Sequence, residues 1–305
     1  MTKKATAYSP SHITGFFSIS ENSKSPLRSG SLGAGVCLEK GITTQVTATK
    51  SRGSQTTISV NGISNAKYPV SELVVKKFLQ KFGELRDYNI HIDHHIEVPV
   101  GAGFGSSGGS ALSLALAMNR CFDIGMSYIE ASQIAHLAEI ECKTGLGTVI
   151  AESVGGIEVR TVPGAPGIGK VIGIPFSEDD IVFAISIGKI STKNALSKDD
   201  VKRNIRKFGQ ENFNNLIAAP DVENFMRSSR SFSDSIGLET KLIERILKLT
   251  DSIGVVASMP MVGEGIFTII KEDDLNRVRK LLSEENIGGR YIISKIASKG
   301  ARVID

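Results

Sequence analysis

The glycine-rich stretch from Pro99 to Ser110 constrains this chain more than any other part of its sequence. It reads Pro-Val-Gly-Ala-Gly-Phe-Gly-Ser-Ser-Gly-Gly-Ser, and it stands between a predicted strand and a predicted apolar helix. Glycines let a backbone turn tightly and approach a ligand closely. The first turn of the following helix offers free N–H groups and the positive end of its dipole. The stretch therefore predicts a phosphate-binding loop, and the alternative is a packing turn capped by serines.

Hydrophobic periodicity predicts the elements on either side of this loop. Apolar and polar side chains alternate from Tyr88 to Val98, which predicts a half-buried strand. Apolar residues at helical spacing predict helices over 70–86, 111–122, 127–141, 198–217, 221–235, 239–251 and 273–284. Runs of β-type residues predict strands over 43–49, 55–60, 171–175, 181–187, 255–257, 265–270 and 301–304. Arg52-Gly53-Ser54 predicts that the first two of these strands form a hairpin.

The length of the chain sets the domain organisation. At about 150 residues per domain, 305 residues correspond to roughly two domains. The loop Pro163–Gly169 is rich in proline and glycine, which makes it a plausible domain edge. Strands and helices alternate beyond it, so we expect an α+β fold.

Composition and charge exclude several classes of protein. No apolar run is long enough to span a membrane, and no apolar segment follows the N-terminal lysines as in a signal peptide. Cys37, Cys121 and Cys142 lie far apart, which argues against a disulfide framework or a zinc site and fits a reducing cytoplasm. The net charge of +4 and the absence of Trp give no sign of nucleic-acid binding.

Two familiar nucleotide motifs match the chain only in part. Gly103–Gly108 fits Gly-x-Gly-x-x-Gly, but Asp123 does not end a second strand as the dinucleotide fold requires. Gly164–Lys170 is close to a Walker A motif. Val171 stands where that motif needs Ser or Thr, and a strand follows instead of a helix. We interpret the second stretch as a rigid loop.

Three segments together resemble the motifs of the GHMP kinases. Pro99–Ser107 resembles the second motif of that family, Pro-x-Gly-x-Gly-x-Gly-Ser-Ser. Ala7–Phe17 resembles the first, with His12 where Lys often stands, and Met259–Gly265 occupies the place of the third. The segments Ser9–Phe17, Gly30–Val36, Lys143–Gly147 and Pro163–Gly169 further resemble the archaeal pantoate kinase branch.

The resemblance implies a GHMP kinase fold with ATP and Mg²⁺ held between two domains. The first, residues 1–172, would have the fold of ribosomal S5 domain 2, and the second, residues 173–305, would be ferredoxin-like. The resemblance also implies that ATP contacts Pro99, Gly101, Gly103, Phe104, Gly105, Ser106, Ser107, Gly108 and Gly109. Ser107 and Glu139 would be the metal ligands, as oxygen donors suit Mg²⁺. The alternative for Glu139 is a solvated helix face shared with Glu141.

One position departs from the family pattern. Thr148 stands where the catalytic Asp is usual, nine residues after Glu139. Threonine cannot accept a proton at neutral pH, and a general base is typically worth about 10²–10⁴-fold in rate. Three explanations remain open: catalysis by metal and positioning alone, replacement of the base by Glu141 or His12, or a slow or repurposed kinase.

The substrate contacts implied by the resemblance are His12, Thr14, Arg28, Gly33 and Gly35. His12 is either a cation that neutralises an anionic group or a hydrogen-bonded strand histidine. Further candidate anion contacts are Lys40 and, more weakly, Arg160 and Lys170. The histidines at 91, 94 and 95 are expected to form a polar sheet face rather than a metal site.

The function implied is the phosphorylation of pantoate on its primary hydroxyl, giving 4-phosphopantoate for coenzyme A biosynthesis. One alternative is a mevalonate 3-phosphate 5-kinase, and another is a nucleotide-binding regulator with little turnover. We expect a cytoplasmic enzyme that acts on a small hydroxy acid and binds neither nucleic acid nor membrane, with a homodimer as the candidate oligomeric state.

Overall fold

The computed structural model describes residues 2–21, 24–51, 53–64, 67–189, 199–261 and 263–304. Within these ranges the strands are β1 (Thr2–Ser20), β2 (Gly30–Lys50), β3 (Thr56–Val60), β4 (Ile63–Ser64), β5 (Tyr88–Ile96), β6 (Ile157–Val162), β7 (Lys170–Ile174), β8 (Ile181–Lys189), β9 (Gly263–Ile270), β10 (Arg290–Lys295) and β11 (Arg302–Val303). The α-helices are α1 (Pro69–Lys81), α2 (Ser106–Cys121), α3 (Tyr128–Cys142), α4 (Thr148–Val154), α5 (Asp199–Ala218), α6 (Val222–Ile236), α7 (Lys241–Ser252) and α8 (Glu272–Glu284). None of these helices is both long and apolar enough to cross a membrane.

The larger sheet is built around the long strand β2. Its order is β11-β1-β2-β5-β3-β4. One edge of β2 changes partner along its length: residues 42–50 pair with β5, and residues 33–36 pair with β6, which in turn pairs with β7. The glycine-rich loop leaves the end of β5, close to the point where β2 passes from one partner to the other.

Helices α1, α2 and α3 cover one face of the larger sheet. Helix α2 packs against β1 and β2 and also against α1, α3 and α4. Leu112, Leu114 and Met118 are buried together with the alanines between them, so α2 has almost no exposed face. An apolar helix of this kind is expected in the middle of a layer. The candidate phosphate-binding loop is therefore followed directly by a rigid, buried helix.

The smaller sheet has the order β10-β8-β9 and shares a core with the larger one. The connection is made by β1, whose second half packs under α5 and α6. There Gly209 of α5 lies so close to β1 that a methyl group in its place would be 2.1 Å from the Phe17 carbonyl oxygen. Close packing of this kind holds α5 on the end of β1 that carries the first candidate motif.

Some predicted elements are wrong. The strands 43–49 and 55–60 do not form a hairpin, because β5 lies between β2 and β3, and β3 runs parallel to β5; Arg52, in the predicted turn, lies outside the described residues. Residues 255–257 are not a strand, and β10 was not predicted. The α+β class and the strand at Tyr88 are confirmed. The domain boundary at residue 172 stays a prediction, and residue 172 lies within β7.

Candidate active site

The glycine-rich loop turns through left-handed backbone conformations at three glycines. Their φ angles are +75° at Gly101, +86° at Gly103 and +64° at Gly105. Gly105 is the N-cap residue of α2, and no side chain caps the helix there. Ser106 and Ser107 are the first two residues of the helix and not its caps. The serine-capped turn is therefore not what forms, and the first-turn N–H groups of α2 are available to an anion.

The loop touches both of the other candidate motifs. The N–H of His12 donates to the carbonyl oxygen of Phe104 at 3.2 Å, and the N–H of Met261 donates to that of Thr14 at 3.3 Å. A methyl group at Gly263 would lie 2.1 Å from the carbonyl oxygen of Ala102. Segments that are 250 residues apart in sequence thus meet around one loop. The ring of Phe104 is buried, so only its backbone faces this junction.

Gly105→Ala should damage the loop in two ways. Alanine at φ +64° is strained by about 1–2 kcal/mol, and its methyl group would lie 2.7 Å from Glu152 Oε1 and 2.9 Å from Thr148 Cγ2. Together with overpacking of about 1–3 kcal/mol, the variant should unfold at lower denaturant and show a raised KM for ATP. Gly125→Ala is the matched control, since Gly125 also has positive φ but open space around it. Equal effects of the two changes on KM would contradict a special role for Gly105.

Ser107 and Glu139 form the polar centre beneath the loop. The Ser107 hydroxyl donates to Glu139 Oε1 at 2.6 Å, and the Thr144 hydroxyl donates to the same oxygen at 2.8 Å. Among the described residues, Glu139 Oε2 is buried without a hydrogen-bond partner. Burial raises the pKa of Glu139, while the two hydroxyl donors lower it. The arrangement fixes one carboxylate oxygen and leaves the other to bind something that the protein itself does not supply.

The local sequence explains why Glu139 points inward. Helix α3 starts at a capping box formed by Ser127 and Glu130 and ends at Lys143, whose φ is +55°. Gly145 follows, and a methyl group there would lie 2.3 Å from Glu139 Oε2. Glu139 is 2% exposed, so its alternative as part of a solvated face is wrong. The solvated residue is Glu141, which pairs with Lys77 at the surface.

Thr148 is the first residue of α4 and lies against the loop. Its methyl carbon faces Gly105 and Gly108, and its hydroxyl faces Gly145. No carboxylate stands at this position, and Glu141 cannot replace one because it pairs with Lys77 at the surface. One turn further along α4, Glu152 is fully buried, and within the described ranges neither of its carboxyl oxygens has a hydrogen-bond partner. Glu152 was not among the residues singled out from the sequence.

Glu152→Gln should stabilise the protein at neutral pH, more so as pH rises. Burial holds the pKa of Glu152 well above its ordinary value, so the folded state keeps a proton that the unfolded state loses above pH ~4.3. Wild-type stability should therefore fall by up to about 1.4 kcal/mol per pH unit relative to the variant, from the unfolded pKa up to the folded one. Urea unfolding at several pH values between 5 and 8 measures this difference. With the exposed Glu178→Gln as control, a difference independent of pH would contradict the prediction.

His12 lies beneath the site as a hydrogen-bonded strand histidine. It is 1% exposed, and its Nε2 is 3.0 Å from Glu158 Oε1. Burial lowers the pKa of His12 more than the neighbouring Glu158 raises it. The imidazole is therefore mostly neutral at pH 7, which favours the hydrogen-bonded strand histidine over the cation. The hydroxyl of Thr14 is 3.4 Å from His12 Nδ1, on the other side of the ring.

Arg160 is the cation that lies beside Glu158 in this part of the site. It is 1% exposed, its Nη1 pairs with Glu158 Oε1, and its buried Nε has no hydrogen-bond partner in the part of the chain that the structure describes. A methyl group at Gly147 would lie 2.7 Å from Arg160 Nε and 2.5 Å from Ser31 Oγ. Gly33 stands on the other side, where a methyl group would be 3.1 Å from Arg160 Nη2. The two glycine turns singled out from the sequence thus enclose a buried guanidinium.

The remaining candidate cations lie at the surface. Arg28, Lys40 and Lys170 are exposed in the structure. Arg28 ends a single 3-10 turn, Pro26–Arg28. Arg160 and Lys170, which the sequence did not distinguish, therefore differ fully in burial.

The strand histidines form no metal cluster in the described ranges, where no group of three His, Cys, Asp or Glu side chains converges. His91 and His95 are exposed on one face of β5, as expected. His94 is on the buried face, contrary to expectation. Its Nδ1 is 2.7 Å from the Thr44 hydroxyl and its Nε2 is 3.0 Å from the Ser71 hydroxyl, and burial lowers its pKa to about 4.

Comparison with known proteins agrees with this geometry. A model of the GHMP kinases N terminal domain matches residues 68–156. The chain is 34% identical to the pantoate kinase of Thermococcus kodakarensis over 97% of each protein. A solved phosphotransferase related to the CoA biosynthesis pathway is 32% identical, with a TM-score of 0.88 over 99% of this chain and 98% of that one. The complex of MDDEF with MVAPP, AMPPCP and magnesium is 12% identical over all of both chains, and its TM-score of 0.76 shows the same fold.

Proposed function

This chain belongs to the pantoate kinase branch of the GHMP kinases, and from that premise we propose that it transfers the γ-phosphoryl group of ATP to the primary hydroxyl of pantoate. The product is 4-phosphopantoate, an intermediate of coenzyme A biosynthesis. The enzyme is an ATP-dependent phosphotransferase with an alcohol group as acceptor. The observation that carries the proposal is the Ser107–Glu139 pair at the open N-terminus of α2, which the segment from Gly145 to Gly147 connects to the buried Arg160.

We propose that Mg²⁺ binds at Ser107 and Glu139. The fit rests on Glu139 Oε2, a buried carboxylate oxygen that lacks a partner, and on the hydroxyl of Ser107 beside it. Mg²⁺ typically uses one or two protein carboxylates together with substrate phosphates and water. The single carboxylate of Glu139 is consistent with this type of Mg²⁺ coordination. When bound, the ion would neutralise charge on the transferring phosphoryl group.

The protein groups would act mainly by position and charge. The free N–H groups of the first turn of α2 and its dipole would hold the phosphates, with Ser106 as a second hydroxyl contact. The substrate oxygen forms its bond to the γ-phosphorus as the bond to ADP breaks, through a loose transition state. Because the bond between the nucleophilic oxygen and phosphorus is still weak at that stage, the hydroxyl proton can leave late and pass to an oxygen of the transferred phosphoryl group. Thr148 fits such a base-free route, since its methyl carbon packs against Gly105 and Gly108 and its hydroxyl is no base at neutral pH.

Arg160 is the group that would hold the carboxylate of pantoate. Its Nε is a buried donor without a partner, and a guanidinium matches a carboxylate with two parallel hydrogen bonds. Gly33, one of the expected substrate contacts, and Gly147 flank it. The carbonyl oxygen of Thr14 accepts from the N–H of Met261 in the third motif, and its hydroxyl lies 3.4 Å from His12 Nδ1. Of the two roles left open for His12, we therefore keep the hydrogen-bonded strand histidine and assign the cation to Arg160.

The proposal is tested by ADP release in parallel assays with pantoate, mevalonate and mevalonate 3-phosphate, each with ATP and Mg²⁺. Turnover on pantoate at least tenfold above the other two is the expected result. Preference for mevalonate 3-phosphate would support the alternative kinase, for which Thr148 is the motivating change. ATP binding without transfer to any of the three would support a regulator.

The organisation of the protein around this site is also proposed. We place the first domain at residues 1–172 and the second at 173–305, on the grounds that β7 ends the larger sheet and β8 begins the smaller one. Strand β11 returns from the end of the chain to the larger sheet. A cytoplasmic location and a homodimer remain part of the same proposal.

A further inference from the structure

We propose that Glu158 is a positioning residue for the substrate carboxylate, because it holds both Arg160 and His12 through one oxygen. The inference rests on the proposed function, in which Arg160 binds that carboxylate. Glu158 was not singled out from the sequence, and its hydrogen bonds within the described residues go to His12 and Arg160 rather than to the glycine-rich loop. Its role would be to fix where the guanidinium of Arg160 stands before the substrate arrives.

The hydrogen bonds of Glu158 are concentrated on a single oxygen. Oε1 accepts from Arg160 Nη1 and faces His12 Nε2 at 3.0 Å. A carboxylate only accepts, and His12 is mostly neutral, so the proton of the imidazole is on Nε2. Glu158 is fully buried, and no other residue that the structure describes forms a hydrogen bond with its Oε2. One atom therefore sets the place of a cation and the tautomer of a histidine.

The sheet register makes room for this arrangement. Glu158 stands opposite Gly35 of β2, and Arg160 stands opposite Gly33. A methyl group at Gly35 would lie 2.1 Å from His12 Nε2, on the line by which the ring reaches Glu158. Glycine at both positions is thus what allows two charged side chains to lie across β2. Glu158 and Arg160 share one face of β6, and its other face packs Ile157 and Val159 into the core.

The charges explain why the carboxylate is needed before substrate binds. A buried guanidinium without a partner would be strongly destabilising, whereas Glu158 neutralises it and uses only one of its terminal nitrogens. The Nε donor stays free. An arginine has several rotatable bonds, and a displacement of about 1 Å at a binding group can cost about 10²-fold. The pair therefore keeps the free donor of Arg160 in one place.

The test compares two substitutions that separate length from charge. Glu158→Asp keeps the charge but draws the oxygen back by one methylene, so that it no longer reaches both partners. Glu158→Gln keeps an oxygen at the position of Oε1 and loses the charge. If Glu158 positions Arg160, the aspartate variant should raise KM for pantoate at least tenfold. The glutamine variant should raise it less than fivefold. KM for ATP should change less than twofold in both.

Three results would overturn the inference. Unchanged KM for pantoate in both variants would leave Glu158 a packing residue, and a larger effect of glutamine than of aspartate would show that charge alone matters. The third is a further rise in KM of more than threefold when Glu158→Asp is added to Arg160→Lys, since Glu158 would then not act through Arg160. Leu282→Ala, in α8, controls for lost stability and should leave both KM values unchanged.

Failure of the proposed function is distinguishable from failure of this inference. If the wild-type protein does not phosphorylate pantoate, the proposed substrate is wrong. The same variants are then compared on whichever of mevalonate or mevalonate 3-phosphate is accepted, since both carry a carboxylate. If no hydroxy acid is accepted, calorimetric binding of pantoate to the wild-type and aspartate proteins decides, and equal affinities contradict the role of Glu158.

Discussion

Glu139→Gln should lower kcat by about 10²–10³-fold, the range typical for loss of one group that stabilises transition-state charge. Glu139 Oε1 is already held by the hydroxyls of Ser107 and Thr144, and an amide oxygen can accept both of these hydrogen bonds. The change therefore falls on Oε2, the buried oxygen without a partner. An NH₂ group at that place is a donor and repels a cation. Steady-state rates at several Mg²⁺ concentrations measure the effect.

The fold should tolerate this substitution. Burial raises the pKa of Glu139, which means that the charged form is costly inside the protein. A neutral amide of the same shape avoids that cost, so the free energy of unfolding should stay within about 1 kcal/mol of wild type or increase. The stabilisation of the wild-type protein by ADP with Mg²⁺ in a thermal shift assay should be largely lost.

Glu141→Gln is the matched control for Glu139→Gln. It makes the same chemical change two residues along α3, at an exposed side chain paired with Lys77. It should leave kcat within about twofold of wild type, as expected for a surface residue. A kcat for Glu139→Gln within fivefold of wild type would remove Glu139 from the site. A large loss in Glu141→Gln would restore it as a candidate base.

The loop and its helix could be predicted because their signals are local. Three glycines with positive φ, a preceding strand and an apolar helix lie within about thirty residues, so periodicity and turn chemistry suffice. The hairpin at Arg52-Gly53-Ser54 failed for the opposite reason. On the side where the strand 43–49 was expected, β3 pairs with β5, which follows a whole helix later, and turn residues carry no information about such a distant strand. The strand 55–60 therefore pairs with β5 and not with the strand 43–49.

The buried charges of β6 could not be predicted for a similar reason. Ile-Glu-Val-Arg at 157–160 alternates apolar and charged side chains, which ordinarily indicates a strand with one solvated face. Here all four side chains are buried. The missing information is the register that sets Glu158 opposite Gly35 and Arg160 opposite Gly33. The roles of the glycines in β2 and of the charged residues in β6 can be inferred only once the pairing of the two strands is known.

Arg160→Lys should raise KM for pantoate by about 10²-fold and leave KM for ATP within about twofold. Lysine keeps the charge but has no planar fork, so it cannot pair with Glu158 and offer a second, fixed N–H to a carboxylate at the same time. Truncating one partner of a buried charge pair typically costs about 2–5 kcal/mol of binding, and retention of the charge places the lysine variant at the lower end. Initial rates over a range of pantoate concentrations at saturating ATP measure the change.

Lys170→Ala is the control, because the sequence placed Lys170 and Arg160 together as weak anion contacts. Lys170 is exposed on β7, the neighbour of β6, so its removal tests whether general positive charge on this part of the sheet attracts the substrate. We expect KM for pantoate to stay within about twofold in this variant. A loss in Lys170→Ala as large as that in Arg160→Lys would contradict a specific role for the Arg160 guanidinium. A loss confined to Arg160→Lys would mean that it is bound by a guanidinium held in place, which is what the burial of Arg160 and its pairing with Glu158 require.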